Sequence, residues 1–483
     1  MTGIGRRSGL PGRIDAGSDA VTKLSGTIRP LVWLVLPVLV EQLLALSVGF
    51  TDKWLAGNLL TGAEYLAAVG LVAYCLAFLP GLFAIPAVAA TALVARSVGA
   101  GDLPAARRAA MQSLLLGGLL AGVVILMAPV AGPIFLEALG LPAESAELAR
   151  RYLGIVLPAV PAIMVIHVGV AVLRGAGDMV AGLVSMSVVN LVNAAASYAL
   201  ATGLWGLPAL GWEGLAWGTL IGYCLGAVCV VLLLARRSKS LRPGAADWRV
   251  DPAWLRRIMH VGVPAGIDAV ANAACHLGFL SIVNRLGNVD AAAHSVAITI
   301  ESLAFLPGSA FQVAAATLAG QFLGARDAVR ARRSVWLAAI ACLGLMSVAA
   351  GIFLGQADRL AGWFVGGAGR QPEVASLTAK LVGIVAFAQP PLAILMVLSG
   401  GLRGAGATRA VLTVNFLGLL LVRLPLAMFL AWPGIALPGG LGTVPGLGLG
   451  VAGAWYAMAA DLTVRALAIL IIFKWGRWSR EAV

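Results

Sequence analysis

Twelve times along this chain the sequence stays apolar for about the 20 residues that a helix needs to cross about 30 Å of hydrocarbon. The runs are 31–55, 65–92, 106–131, 148–172, 179–203, 209–235, 255–283, 291–318, 331–356, 374–400, 408–432 and 448–473. Each is apolar throughout and none alternates with period two, so strands are excluded and every run reads as a helix. With 60% hydrophobic and 11% charged residues, and a mean hydropathy of +0.95, the chain has too much apolar surface for water. The expected fold class is an all-α integral membrane protein with twelve transmembrane helices. The loops are too short for a soluble domain.

The twelve runs fall into two copies of six. LAFLPG occurs at Leu76–Gly81 and again at Leu303–Gly308, and Pro37 recurs as Pro264, all at an offset of 227. Pro161 recurs as Pro390 and LRGAG, at Leu173–Gly177, recurs at Leu402–Gly406, both at an offset of 229. The expected organisation is two pseudo-symmetric six-helix bundles: a tail over 1–30, one lobe over 31–235, a basic linker over 236–254, the other lobe over 255–473, and a tail over 474–483. Internal symmetry in an apolar chain is a mark of transporters, which bind substrate and ions where the repeats meet. The matched prolines inside spans each remove a helix hydrogen bond, so they mark bends beside cavities or hinges.

Charge sets the orientation. If the N-terminus is inside, 25 of the 34 Lys and Arg lie in inside segments and six in outside loops. Both termini are therefore expected in the cytoplasm. The net charge of +13 then belongs to loops facing anionic headgroups, not to a nucleic-acid surface. Arg236, Arg237, Lys239 and Arg242 read as an orienting linker, and Trp54, Trp205, Trp212 and Trp475 fit an interfacial belt.

Several other chemistries drop out. The five cysteines (Cys75, Cys224, Cys229, Cys275, Cys342) lie in apolar spans, are odd in number and have no metal or disulfide spacing, so they read as packing residues. His167, His260, His276 and His294 are scattered, and no metal is expected. Arg6 and Arg7 lack the apolar stretch that a twin-arginine signal needs. GAGD and GARD follow no strand and precede no Lys-Ser/Thr, which excludes a nucleotide-binding loop. No catalytic constellation is present, and no enzyme is expected.

The stretches AAVGLVAYCLAFLPG, ATALVARSVGAGD, VLRGAGD, AAAHSVAITIESLAFLPGSAFQVAAATLAGQFLGA and GLRGAGATR resemble the recurring segments of multidrug and toxic compound extrusion (MATE) transporters. The likeness covers residues 30 to 475, and ESLAFLPG resembles a bacterial, DinF-like branch of that family. It implies a two-lobed, twelve-helix antiporter in the inner membrane. Such a protein exports amphipathic, often cationic small molecules in exchange for sodium ions or protons, without nucleotide or cofactor and as a monomer.

Intramembrane acids carry the chemistry, because a carboxylate in hydrocarbon is costly and faces a partner, a cavity or an ion path. The resemblance makes Asp52, fifteen residues after Pro37, the coupling-ion aspartate, which can take a proton or hold a hard cation with other oxygens. The family adds an Asn and an Asp four residues apart on the fifth helix and a Thr on the sixth. Here these positions are Asn193, Ser197 and Thr219, so a serine replaces the second acid and weakens the case for sodium. Phe279 stands where a second copy of Asp52 would be, which assigns coupling to the first lobe.

Three further acids are expected to line the substrate cavity. Glu41 and Asp268 each follow a matched proline by four residues, and Glu301 opens the second LAFLPG where the first copy has Tyr74. Acids then outnumber bases, which favours cationic substrates. Arg174, Asp178 and Arg403 are read as loop anchors at glycine turns, Asp461 and Arg465 as an i, i+4 ion pair, and Arg423 has no assigned role. The alternative function is a flippase for lipid-linked precursors, which would want a strongly basic cavity.

Overall fold

A computed structural model describes residues 28–60, 63–138, 143–237, 245–365, 371–436, 443–476 and 478. They form α1 (Ile28–Leu59), α2 (Ala63–Gly99), α3 (Leu103–Ala138), α4 (Ala143–Val156), α5 (Val160–Gly175), α6 (Val180–Thr202) and α7 (Trp212–Arg237). The second half gives α8 (Pro252–Asn284), α9 (Asn288–Gly324), α10 (Ala328–Val365), α11 (Pro372–Gly404), α12 (Thr408–Leu417), α13 (Leu424–Ala431) and α14 (Gly450–Trp475). These make 12 helical spans long and apolar enough to cross a membrane, the fold class read from the sequence. Most of the linker, over 238–244, lies outside the described residues.

Among the described residues α10 kinks at Gln356, where φ is −129° and ψ 16°, and two further spans are broken, the fourth span beside Pro161, one of the matched prolines. The fourth joins α4 to α5 through a tight turn at Leu157–Ala159, where Pro158 and Pro161 withhold backbone donors. The eleventh joins α12 to α13 through a π-turn, Gly418–Arg423. Pro425 cannot donate to Leu421, so the helical register widens just before it. A short hairpin also precedes α14. In it β1 (Gly434–Ala436) pairs antiparallel with β2 (Thr443–Pro445), placing Ile435 opposite Val444, where the sequence reading had only a loop.

The cores of the two halves interlock. Leu31, Leu34, Val35 and Val38 of α1 are buried in the same cluster as Phe311, Ala314 and Leu318 of α9. Reciprocally, Ile258 and Val261 of α8 join Ala89, Ala92 and Leu93 of α2. A Cβ on Gly262 would overlap the Ile85 carbonyl, so only glycine permits that approach of α8 to α2.

The halves meet again where α2, α5, α9 and α11 end. ARSVGAGD (95–102) and GQFLGARD (320–327) correspond at an offset of 225. A Cβ on Gly99 would fall on the backbone of Gln321, and one on Gly324 would fall on the backbone of Arg96. Each glycine thus abuts the other half three residues before its own counterpart. Gln321 Nε2 donates to the Gly175 carbonyl at 3.0 Å and Thr317 Oγ1 to the Arg174 carbonyl at 3.2 Å, so polar latches reinforce this closure. The turns beyond match too: Gly101 has φ 73° and Arg326 φ 61°, and Asp102 and Asp327 cap the helices that follow.

Candidate functional site

Asp52 is buried, on the face of α1 turned to α6 and α7. Asn193 Nδ2 donates to its Oδ1 at 3.1 Å, and Thr219 Oγ1 donates to its Oδ2 at 2.8 Å. Asn193 Nδ2 also reaches Thr219 Oγ1 at 3.1 Å, which closes a triangle across three helices. Ser197 stands at the edge: its Oγ lies 3.5 Å from Asn193 Nδ2 and donates to the Leu215 carbonyl at 3.4 Å. Gly218 makes room for it, since a Cβ there would meet Ser197 Oγ. Asn190 ties α6 to α1 instead, donating to the Leu44 carbonyl at 2.9 Å.

Asn193 Oδ1 is buried and has no donor among the described residues. Such an atom costs free energy unless something occupies its lone pairs. The Asp52 carboxylate and a hydroxyl thus converge on Asn193 Nδ2, and turning the amide would add its unpartnered Oδ1 to them, a set suited to a proton as it stands or to one hard monovalent cation after the turn.

Asp52 and Thr219 line a cavity of about 360 Å³ within the first half, together with Tyr152, Tyr223, His167 and Glu41. Glu41 is not a free carboxylate. Arg174 Nη2 donates to its Oε1 at 2.6 Å, which corrects the reading of Arg174 as a loop anchor. The LRGAG arginine instead reaches from the end of α5 to the acid that follows Pro37. Gly182 packs directly on that carboxylate.

The second half repeats the pairing. Arg403 of the other LRGAG donates to Asp268 Oδ2 at 2.5 Å, so Arg403 too is more than a loop anchor. Asn272 and Asn415 donate to Asp268 Oδ1 at 3.2 and 2.9 Å. These groups border a cavity of about 520 Å³, with Ala84 and Val88 of α2 on one wall and Glu301, Arg423 and Arg465 on others. Asp461 is fully buried and takes two arginines: Arg465 Nη2 at 2.6 Å and Arg423 Nε at 2.9 Å. Of the three acids expected to face substrate, only Glu301 is bound by no side chain among the described residues. Acids no longer outnumber bases, because Asp268, Glu301 and Asp461 face Arg403, Arg423 and Arg465.

Sequence reasoning missed Tyr152, Tyr223 and Arg423 as cavity groups. Two polar aromatics inside apolar spans were a usable signal for the tyrosines. For Arg423 it was a charge in mid-span without an i, i+4 partner. Trp54 and Trp475 are exposed as expected of an interfacial belt, whereas Trp212 stacks on Tyr152 at 6.5 Å.

The MatE family model matches residues 37–199 and again 264–429, one match in each half. The chain is 27% identical over 461 residues to the Probable multidrug resistance protein NorM of Thermotoga maritima, covering 94% of both chains. It is 30% identical over 461 residues to the protein of the same name from Bradyrhizobium diazoefficiens, covering 91% of this chain and 92% of that one. Among solved structures, the Vibrio cholerae MATE transporter VcmN in its bent form superposes with a TM-score of 0.82 at 20% identity, over 92% of this chain and 96% of that one. A MOP superfamily transporter from Pyrococcus furiosus, whose pocket is described as having reverse polarity suggesting a different function, gives 0.83 at 20% identity over 95% and 97%. At that identity the likeness is one of fold.

Proposed function

This chain belongs to the MATE family of membrane transporters, and we propose that it is a secondary active antiporter. It exports amphipathic small molecules with a cationic centre in exchange for protons or sodium ions. The observation that carries this reading is the Asp52 carboxylate held by Asn193 and Thr219 on the wall of a cavity inside the membrane-spanning part. A carboxylate is kept in such surroundings only when its charge has work to do. Proton uptake by Asp52 cancels that charge and weakens both donated hydrogen bonds, whereas a sodium ion would need Asn193 to turn its amide and present Oδ1. Either event changes how α1 is held to α6 and α7, and so couples the ion to the lobe's conformation.

Glu301 is the acid available to a substrate cation, since Glu41 and Asp268 are already held by arginines. The protein acts as a monomer in the inner membrane with both termini in the cytoplasm, and the latched end is the cytoplasmic one. Relatives named as multidrug resistance proteins support export as the direction.

The test is efflux of a lipophilic dye cation from proteoliposomes under separately imposed sodium and pH gradients. Export under one gradient and none without it is the expected result. Dye movement indifferent to both gradients, or movement of an anionic lipid-linked sugar in place of the dye, would overturn the antiporter reading in favour of a channel or the flippase.

A further inference from the structure

The second half has its own version of the Asp52 triangle, and its chemistry is inverted. Asp52 corresponds to Phe279 at the repeat offset of 227. Across the π-turn the offset on the eleventh span rises from 229 to 230, the larger value holding from its last residue, Arg423. The packing shows it: a Cβ on Gly214 would strike Leu200 and Ala201, and one on Gly453 would strike Leu430 and Ala431. At that offset Asn193 corresponds to Arg423. By the same glycines α7 and α14 align at an offset of 239, so Thr219 corresponds to Met458. The counterparts do come together: the Arg423 guanidinium carbon lies 6.0 Å from the centroid of the Phe279 ring, and Arg423 and Met458 line one cavity. Where the first half holds a carboxylate for a mobile cation, the second holds a fixed cation of its own.

That cation is incompletely compensated. Asp268 is committed to Arg403, and the single carboxylate of Asp461 is shared by Arg423 and Arg465. One positive charge is left over on the wall formed by the π-turn and α14. Glu301 contributes one negative charge from α9; it acts on Arg423 through space, and no described side chain hydrogen-bonds it. Between them the cavity of about 520 Å³ is walled by Phe305, Leu395, Met396 and Leu462. A guanidinium presents a planar fork suited to a carboxylate, and a carboxylate with no hydrogen-bond donor in contact suits an organic cation.

We propose that the second-half cavity is a binding site for amphipathic zwitterions, with the substrate carboxylate on Arg423 and its cationic centre at Glu301. This deepens the exporter reading and rests on it. The cavity wall facing the first half is α2, which brings Ala84 and Val88 into the site and so lets the relative position of the halves alter it.

The experiment compares rhodamine B, a zwitterion with a free carboxylate, with its ethyl ester, a cation of the same body. Binding to the purified full chain in nanodiscs is read by equilibrium dialysis against protein-free nanodiscs. Arg423→Gln should lower rhodamine B affinity by about tenfold, the scale of one lost charge-assisted hydrogen bond, and leave the ester unchanged. Glu301→Gln should weaken both dyes, because both carry the cation. Retained ester binding shows that Arg423→Gln is folded, and Arg423→Lys should recover part of the rhodamine B affinity. Equal loss of both dyes in a folded Arg423→Gln protein, or no loss of either, overturns the proposal. Efflux is measured separately: the predicted binding pattern with no gradient-driven export of either dye would refute the exporter reading and leave the site standing.

Discussion

The Thr219 hydroxyl donates to the Asp52 carboxylate across 2.8 Å, joining the first and sixth spans inside the membrane region. Asn193 makes the same carboxylate common to the fifth span. Three helices therefore share one ionisable group, and any change in its charge is felt by all three.

Asp52→Asn should abolish export driven by either gradient while leaving dye binding near the wild-type level. Thr219→Ala removes only a neutral ligand, worth about 0.5–1.5 kcal/mol, and should raise the ion concentration needed for half-maximal export. Proteoliposome efflux checks both. Wild-type rates for Asp52→Asn would remove that residue from the coupling mechanism.

Ser197→Asp places a second carboxylate beside Asn193, within the group that already holds Asp52. A second carboxylate adds two hard oxygen ligands, and a single cation can sit between both acids where a proton neutralises only one, so this variant should become more dependent on sodium. Export across a sodium gradient at fixed pH, compared with wild type, reads the change. No gain would place Ser197 outside the ion's reach.

Breaking the Glu41–Arg174 pair by Glu41→Ala leaves a mostly buried guanidinium without its counter-charge, which costs about 3–5 kcal/mol. The double variant Glu41→Ala/Arg174→Met should recover most of that loss. Asp268→Ala should cost more than Glu41→Ala, because Asn272 and Asn415 lose an acceptor along with Arg403. Thermal unfolding midpoints in detergent test the order. A double variant no more stable than Glu41→Ala would mean that the pair does not account for the cost.

Gly99→Ala and Gly324→Ala each push a methyl into the backbone of the opposite half, so both should part the helices at that end. Spin labels at Ala100 and Ala325 would report a longer distance than in the wild-type background. Gly57→Ala, where nothing lies within 4 Å, is the control and should change nothing. Unchanged distances in the first two variants would show that the closure is held elsewhere.

For orientation, a cysteine introduced at Arg236 should be labelled only from the cytoplasmic side and one at Leu207 only from outside. The opposite pattern in sealed cells would invert the assigned topology.

Much of this was legible in the sequence. Burial of backbone in lipid leaves the helix as the only economical form for an apolar run without period-two alternation, so twelve runs meant twelve spans. The shared offsets meant two copies. Asp52 stood out because a carboxylate in hydrocarbon is costly, and the resemblance to the family pointed to Asn193 and Thr219, which the fold brings to it. Tertiary structure decided which charges remain open. The LRGAG arginines sit at helix ends, where a side chain points equally well to a loop or into the protein, and only helix packing aims Arg174 at Glu41 and Arg403 at Asp268. Helical period fixes the face of a residue but not its neighbour across a gap. It also assumes a constant register, and the π-turn before Pro425 breaks that register by one residue. Counting from the LRGAG motif therefore sets Val422 opposite Asn193, whereas the folded chain puts Arg423 there, beside Phe279.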